Sequence, residues 1–118
     1  MADQDGIQAL RRLMDTLQQR AAQRPAKSYT TKLLDGGSEK SGGKIREEAE
    51  ELIEAADESG PSGRAHFVYE AADLLYHTMV MLAWRGVDLD EVAQELERRE
   101  GTSGLVEKAA RAPKETTE

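Results

Sequence analysis

The stretches KIREEAEELIEAADE (residues 44–58) and HFVYEAADLLYH (residues 66–77) decide how this chain is expected to fold. Apolar residues recur in both at the three- and four-residue steps of an amphipathic helix. Each stretch also carries two acids three residues apart: Glu48 with Glu51, and Glu70 with Asp73. Side chains at this spacing lie on one face of a helix. If the two helices pack together, the four carboxylates can converge on one point.

The acids permit two interpretations. Residues 47–58 hold seven acidic side chains and no basic one, which is compatible with a solvated helix face in a non-catalytic dimerisation module. Like charges one turn apart, however, destabilise a helix, and Asp73 lies in an apolar neighbourhood that disfavours an unpaired carboxylate. A shared cation relieves both problems, and an all-oxygen ligand set favours Mg²⁺, Mn²⁺ or Ca²⁺. We therefore predict a divalent-metal site.

The rest of the chain predicts more helices and no strand. The predicted helices cover about residues 4–23, 29–34, 44–58, 62–85 and 89–99, with a further turn or two at 105–111. Ser28 and Asp88 have the positions of N-caps, and Gly86 suits the left-handed residue after a helix. The third helix begins near Lys44, or earlier if Gly42-Gly43 forms a loop-like first turn. We predict an all-α antiparallel bundle of four to five helices.

This bundle is expected to occupy residues 1–112 as one domain, with residues 113–118 as a disordered tail. One apolar seam is predicted along the fourth helix: Val68, Ala72, Leu75, Met79 and Leu82. The seams are thin and only 4% of the residues are aromatic, so a second copy of the chain is expected to cover them. A homodimer is therefore predicted.

Composition excludes several classes of function. The formal net charge of -7 leaves no basic footprint for nucleic acid or an anionic membrane. The chain has no cysteine, which excludes disulfides and is compatible with a reducing compartment. Residues 1–12 show no secretory signal, and the most apolar stretch, residues 74–84, is about half of a membrane span. We expect a cytoplasmic protein.

Four blocks of sequence resemble a known family. They are SYTTKLL (residues 28–34), KxxEEAxE (44–51), YEAADLLYH (69–77) and RRxGxSGxxEKA (98–109). In this order they resemble the phosphoribosyl-ATP pyrophosphatases of histidine biosynthesis, within the all-α, MazG-like nucleoside triphosphate pyrophosphohydrolases. The chain departs from the family at Arg46, where glycine is frequent, and at residues 41–43, which are poor helix formers.

The resemblance implies Mg²⁺-dependent hydrolysis of 1-(5-phosphoribosyl)-ATP to 1-(5-phosphoribosyl)-AMP and pyrophosphate, the second step of histidine biosynthesis, with Mn²⁺ as a possible substitute. It implies that four residues are metal ligands: Glu48, Glu51, Glu70 and Asp73. Glu47 and Glu48 become the candidate catalytic carboxylates. The substrate contacts it implies are Ser28, Tyr29, Thr30, Lys32, Lys44, His77, Arg99, Ser103, Gly104 and Lys108. A canonical or modified (d)NTP is the alternative substrate.

Two of these substrate candidates also have a simpler interpretation. Lys44 precedes the first acidic pair and could neutralise a polyphosphate, but an exposed lysine is usually a solvated charge. His77 lies one turn beyond Asp73 and could touch substrate, or could be a hydrogen-bonded core histidine.

Overall fold

The computed structural model describes the backbone of residues 2–116, and the side chains of all these residues except 2–5, 107 and 112–116. Every regular element in residues 2–116 is an α-helix. The six helices are α1 (Ala2–Gln23), α2 (Tyr29–Asp35), α3 (Gly37–Ala56), α4 (Gly60–Arg85), α5 (Leu89–Arg98) and α6 (Gly104–Thr116). The all-α prediction is confirmed, and the number of helices is six because the turn or two expected after residue 104 forms a full helix.

α3 and α4 form a helical hairpin that is the most extensive contact of the structure. The link between them is three residues long, and it closes because Gly60 takes a left-handed conformation (φ 78°) and Pro61 occupies the first turn of α4. α1 packs on α4, and α2 contacts α1, α3 and α4. The apolar core lies where α1, α2 and the C-terminal half of α4 meet: Met14, Leu17, Leu33, Leu34, Met79, Val80 and Ala83.

Local signals that were read as helix caps are confirmed. The hydroxyl of Ser28 accepts a hydrogen bond from the backbone N–H of Thr31 at 3.2 Å and starts α2. Gly86 is left-handed (φ 80°) after α4. Asp88 and Glu91 form a reciprocal capping box at the start of α5. Each cap satisfies backbone groups that a helix end leaves without partners.

The third helix starts earlier than its glycines suggested. α3 begins at Gly37 rather than near Lys44, so Gly42 and Gly43 lie inside the helix. Each glycine costs about 1 kcal/mol there relative to alanine. Packing against α2 and α4 offsets this cost, and Ser41, immediately before the glycines, is 1% exposed.

The apolar seam predicted along α4 is partly exposed in the single chain, as expected if a second copy covers it. Val68 and Leu75 are 59% and 40% exposed, and Ala72 is also exposed. The buried residues of α4 include Glu70 and His77 as well as the seam residue Met79. The packing of α4 on α3 turns Glu70 toward α3.

The disordered tail expected at residues 113–118 stays a prediction. The backbone of residues 113–116 continues α6, where the sequence favours disorder, while Thr117 and Glu118 lie outside the described residues. Within the described part of the chain, no helix has the length and apolar character needed to cross a membrane.

Candidate active site

Three carboxylates from the two arms of the hairpin converge on one point. Glu48 and Glu51 of α3 and Glu70 of α4 each place one oxygen within 4.8 Å of the others. Glu48 is 7% and Glu70 is 5% exposed, whereas Glu51 lies at the open edge. We call these three residues the carboxylate cluster. Helical spacing aligns the two acids of α3, and the hairpin brings the acid of α4 opposite them.

The surroundings of the cluster oppose its full ionisation. Burial raises the pKa of the Glu48 carboxyl to about 7, and the hydrogen bond with Glu70 and the charges of Asp73 and Glu51 act in the same direction. The pKa of Glu51 is also raised, first by its hydrogen bond with Glu70 and then by the charge of that residue. Glu48 and Glu51 therefore hold their protons more tightly than ordinary carboxyl groups do.

Two oxygens of the cluster are orphaned. Oε1 of Glu48 and Oε1 of Glu70 are buried and have no hydrogen-bond partner among the residues that the structure describes. A buried carboxylate oxygen without a partner is costly, and a hard divalent cation is the ligand that such oxygens prefer. The donor set of the cluster thus fits a divalent cation.

Asp73 is the predicted ligand that the structure does not bring into the cluster. Its side chain is partly buried on α4, one turn after Glu70. Its charge still raises the pKa of Glu48 and acts on His77, so it lies near both. Of the four acids singled out from spacing, three converge, and Asp73 flanks them.

Three predicted substrate residues lie together beside Asp73. The rings of Tyr29 and His77 meet edge to face with centroids 6.3 Å apart. His77 is 5% exposed, and its Nδ1 has no hydrogen-bond partner in the described part of the chain. Burial lowers the pKa of His77, and the positive charge of Lys44 lowers it further, which places that lysine close by. We call Tyr29, Lys44 and His77 the basic-aromatic face.

Other candidates have structural partners. Thr30 is buried, and its hydroxyl pairs with the Tyr76 hydroxyl at 2.6 Å, which ties α2 to α4. The Ser28 hydroxyl caps α2, and Lys32 is exposed in the last turn of that helix. Glu47 is exposed and accepts a hydrogen bond from Lys44 at 3.2 Å, the first cause of the raised pKa of Lys44.

The C-terminal candidates make local contacts. Arg99 donates to Glu95 at 3.1 Å, and Ser103 accepts from the backbone of Val106 at 3.2 Å. Gly104 starts α6, and Lys108 is exposed on it. Among the side chains that the structure describes, no hydrogen bond or ion pair joins these four residues to the carboxylate cluster. Their role as substrate contacts stays a prediction.

Sequence reasoning missed a histidine beside the cluster. His66 Nε2 lies 2.9 Å from Oε2 of Glu70, and Nδ1 lies 2.9 Å from Oε1 of Glu58. The contact with Glu58, followed by that with Glu70, raises the pKa of His66. The four-residue step from His66 to Glu70 is a signal that could have been read from the sequence. The contact with Glu58 crosses the hairpin turn and has no such signal.

The helical fold and the carboxylate cluster, together with the four motif blocks, define an all-α pyrophosphohydrolase. The family model for phosphoribosyl-ATP pyrophosphohydrolase matches residues 10–100. The chain belongs to this family, and the resemblance inferred from the motif blocks is confirmed.

Three relatives show how far the similarity extends, and each is named phosphoribosyl-ATP pyrophosphatase. The protein from Rhodopirellula baltica is 66% identical over 93% of this chain and 92% of its own length. The Rhodobacter capsulatus protein is 54% identical over 87% of this chain and 97% of its own. The Cereibacter sphaeroides protein is 50% identical over 89% of this chain and 99% of its own length.

Proposed function

We propose that this chain hydrolyses 1-(5-phosphoribosyl)-ATP to 1-(5-phosphoribosyl)-AMP and pyrophosphate, the second step of histidine biosynthesis. The observation that carries the proposal is the convergence of Glu48, Glu51 and Glu70 in a chain of this family. The names of the relatives supply the substrate. The carboxylate cluster supplies a place where a polyanionic substrate can be held through a cation.

The cation we propose is Mg²⁺, with Mn²⁺ as a substitute. Glu48, Glu51 and Glu70 would hold it, and Asp73 would join them from one turn farther along α4. The two orphaned oxygens of the cluster support this assignment. When bound, the ion supplies charge neutralisation for the phosphates and a lower pKa for a coordinated water.

The chain's own residues would then orient the nucleotide and handle the proton. Lys44 of the basic-aromatic face offers positive charge for phosphate oxygens. We propose that His77, whose Nδ1 is buried, lines the same face of the substrate site. Tyr29 is 51% exposed and offers a ring surface next to them. Glu47 is an exposed carboxylate adjacent to the cluster, and we propose that it accepts the proton of the attacking water. Hydrolysis is direct, without a covalent intermediate on the protein.

A pyrophosphate-release assay tests this function. Wild-type protein is given phosphoribosyl-ATP or a panel of canonical and modified (d)NTPs, with and without Mg²⁺. We expect release from phosphoribosyl-ATP that requires Mg²⁺, and loss of activity in Glu51→Gln and Asp73→Asn with helicity retained. Glu50→Gln removes the same charge from an exposed position of α3 and is expected to stay active.

Two outcomes of this assay would contradict the proposal. Faster release from a (d)NTP would assign the chain to that substrate instead. Absence of release together with absence of cation binding would favour a helical module whose acids are only a solvated face.

We also propose a homodimer. Val68, Ala72 and Leu75 form an exposed apolar stripe on α4, and Ile53 of α3 is 63% exposed. Burial of such side chains in a second copy contributes about 25 cal/mol per Å² of apolar surface. Light scattering after size exclusion should give twice the chain mass, and Val68→Lys should give the monomer. A monomeric wild type at micromolar concentration would contradict this. Cytoplasmic location stays a prediction.

A further inference from the structure

His66 links the carboxylate cluster to the end of the hairpin. Its Nε2 lies 2.9 Å from Oε2 of Glu70, and its Nδ1 lies 2.9 Å from Oε1 of Glu58. The side chain of Glu70 is 7% exposed, whereas those of His66 and Glu58 are 43% and 46% exposed. A half-exposed histidine thus reaches inward and engages a buried carboxylate.

The contact uses only one oxygen of Glu70. Oε2 pairs with His66, while Oε1, like Oε1 of Glu48, is buried and has no partner within the described side chains. A hydrogen bond to one carboxylate oxygen restricts rotation about the last side-chain torsion, because a turn of the carboxylate would break it. His66 therefore fixes the rotation of the Glu70 carboxylate, and with it the position of Oε1.

The hairpin turn in turn places Glu58. A Cβ built on Gly63 would lie 2.7 Å from the carbonyl carbon of Glu58, so the first turn of α4 presses directly on the backbone of that residue. The N–H of Glu58 also donates to the carbonyl of Ala55 at 3.1 Å. The backbone of Glu58 is thereby fixed at the mouth of the hairpin, from which its side chain reaches His66.

We propose that His66, braced by Glu58, is a positioning residue that orients Glu70 for binding a divalent cation in the carboxylate cluster. This inference rests on the proposed function, since that function requires the cation. Groups that hydrogen-bond to metal ligands fix the direction of the ligand atoms, and their loss weakens metal affinity by about 10- to 100-fold. A purely structural contact between residues four apart on a helix would affect helix stability and leave cation affinity unchanged.

Calorimetric titration of the full chain with Mn²⁺ separates these roles, with the thermal unfolding midpoint of the metal-free protein as a second readout. We expect His66→Ala to bind Mn²⁺ about tenfold more weakly. His66→Gln should restore much of the affinity, because its amide nitrogen takes the place of Nε2. Glu58→Ala should weaken binding by a smaller factor, and should have no further effect when combined with His66→Ala.

Asp57→Ala is the matched control. Asp57 is exposed, precedes Glu58 directly, and caps the C-terminus of α3 through its backbone N–H. The substitution removes its charge and keeps that backbone cap. The proposal is overturned if His66→Ala binds Mn²⁺ as tightly as wild type, or if Asp57→Ala weakens binding as much as Glu58→Ala. If wild type binds Mn²⁺ tightly, either of these two results leaves the proposed function intact. A wild type that binds no Mn²⁺ overturns both the positioning role and the proposed metal site.

Discussion

A proton and a cation should compete for Glu48. Its pKa of about 7 means that the carboxyl is about one-tenth ionised at pH 6 and about nine-tenths ionised at pH 8. A metal ligand must be deprotonated. The apparent affinity of the carboxylate cluster for Mg²⁺ or Mn²⁺ should therefore be about tenfold lower at pH 6 than at pH 8.

Isothermal titration with Mn²⁺ at pH 6, 7 and 8 measures this directly. Repeating each titration in buffers of different ionisation enthalpy counts the protons released, and we expect about one at pH 6 and almost none at pH 8. The Glu48→Gln variant should bind weakly with little dependence on pH, and Glu50→Gln should behave as wild type. An affinity that changes less than about twofold between pH 6 and pH 8, with no proton released, would refute the reasoning.

The raised pKa of Glu48 also predicts how the stability of the folded protein changes with pH. The folded-state pKa of Glu48 lies above its ordinary value, so the folded state binds this proton more tightly than the unfolded state does. Its contribution to the stability of the metal-free protein is complete below pH 4.5 and is lost as the pH rises through about 7. The difference in unfolding midpoint between wild type and Glu48→Gln isolates this contribution from other groups. A difference that is constant between pH 5 and pH 8 would contradict it.

Four further predictions concern the fold. Leu33→Ala, at a side chain with 0% exposure, should lower the free energy of unfolding by about 2–5 kcal/mol in urea titration; a loss below 1 kcal/mol would mean that the core is misplaced. Asp88→Ala should cost about 1 kcal/mol through loss of the capping box, and no change would contradict that cap. Gly63→Ala should cost about 1–3 kcal/mol, because its new methyl meets the Glu58 backbone. Gly43→Ala, with open space around it inside α3, should raise stability by about 1 kcal/mol, and a loss would refute its helical placement.

Some of the structure follows from residue spacing alone. The caps at Ser28 and Asp88 are local, since the donor and the acceptor lie within three residues of each other. The alignment of Glu48 and Glu51 on one face is equally local. Helical periodicity also places Glu70 and Asp73 on one face of α4. It does not distinguish which of these two acids meets Glu48 and Glu51.

The rest depends on tertiary packing. The start of α3 could not be predicted, because contacts with α2 and α4 override the low helix propensity of Gly42 and Gly43. The burial of Glu70 could not be predicted from hydrophobicity, which points to Val68 and Leu75, although both are exposed in the single chain. Contacts across the hairpin turn require coordinates rather than periodicity.

The short hairpin link has a consequence for folding kinetics. Glu48 and Glu70 are only 22 positions apart in the chain, so their approach requires closure of a small loop. Loop-closure entropy rises with chain separation, and contacts between near neighbours in sequence form first. α1 meets α4 across a far longer span. The nascent chain can thus assemble its acidic corner while its amino-terminal helix is still undocked.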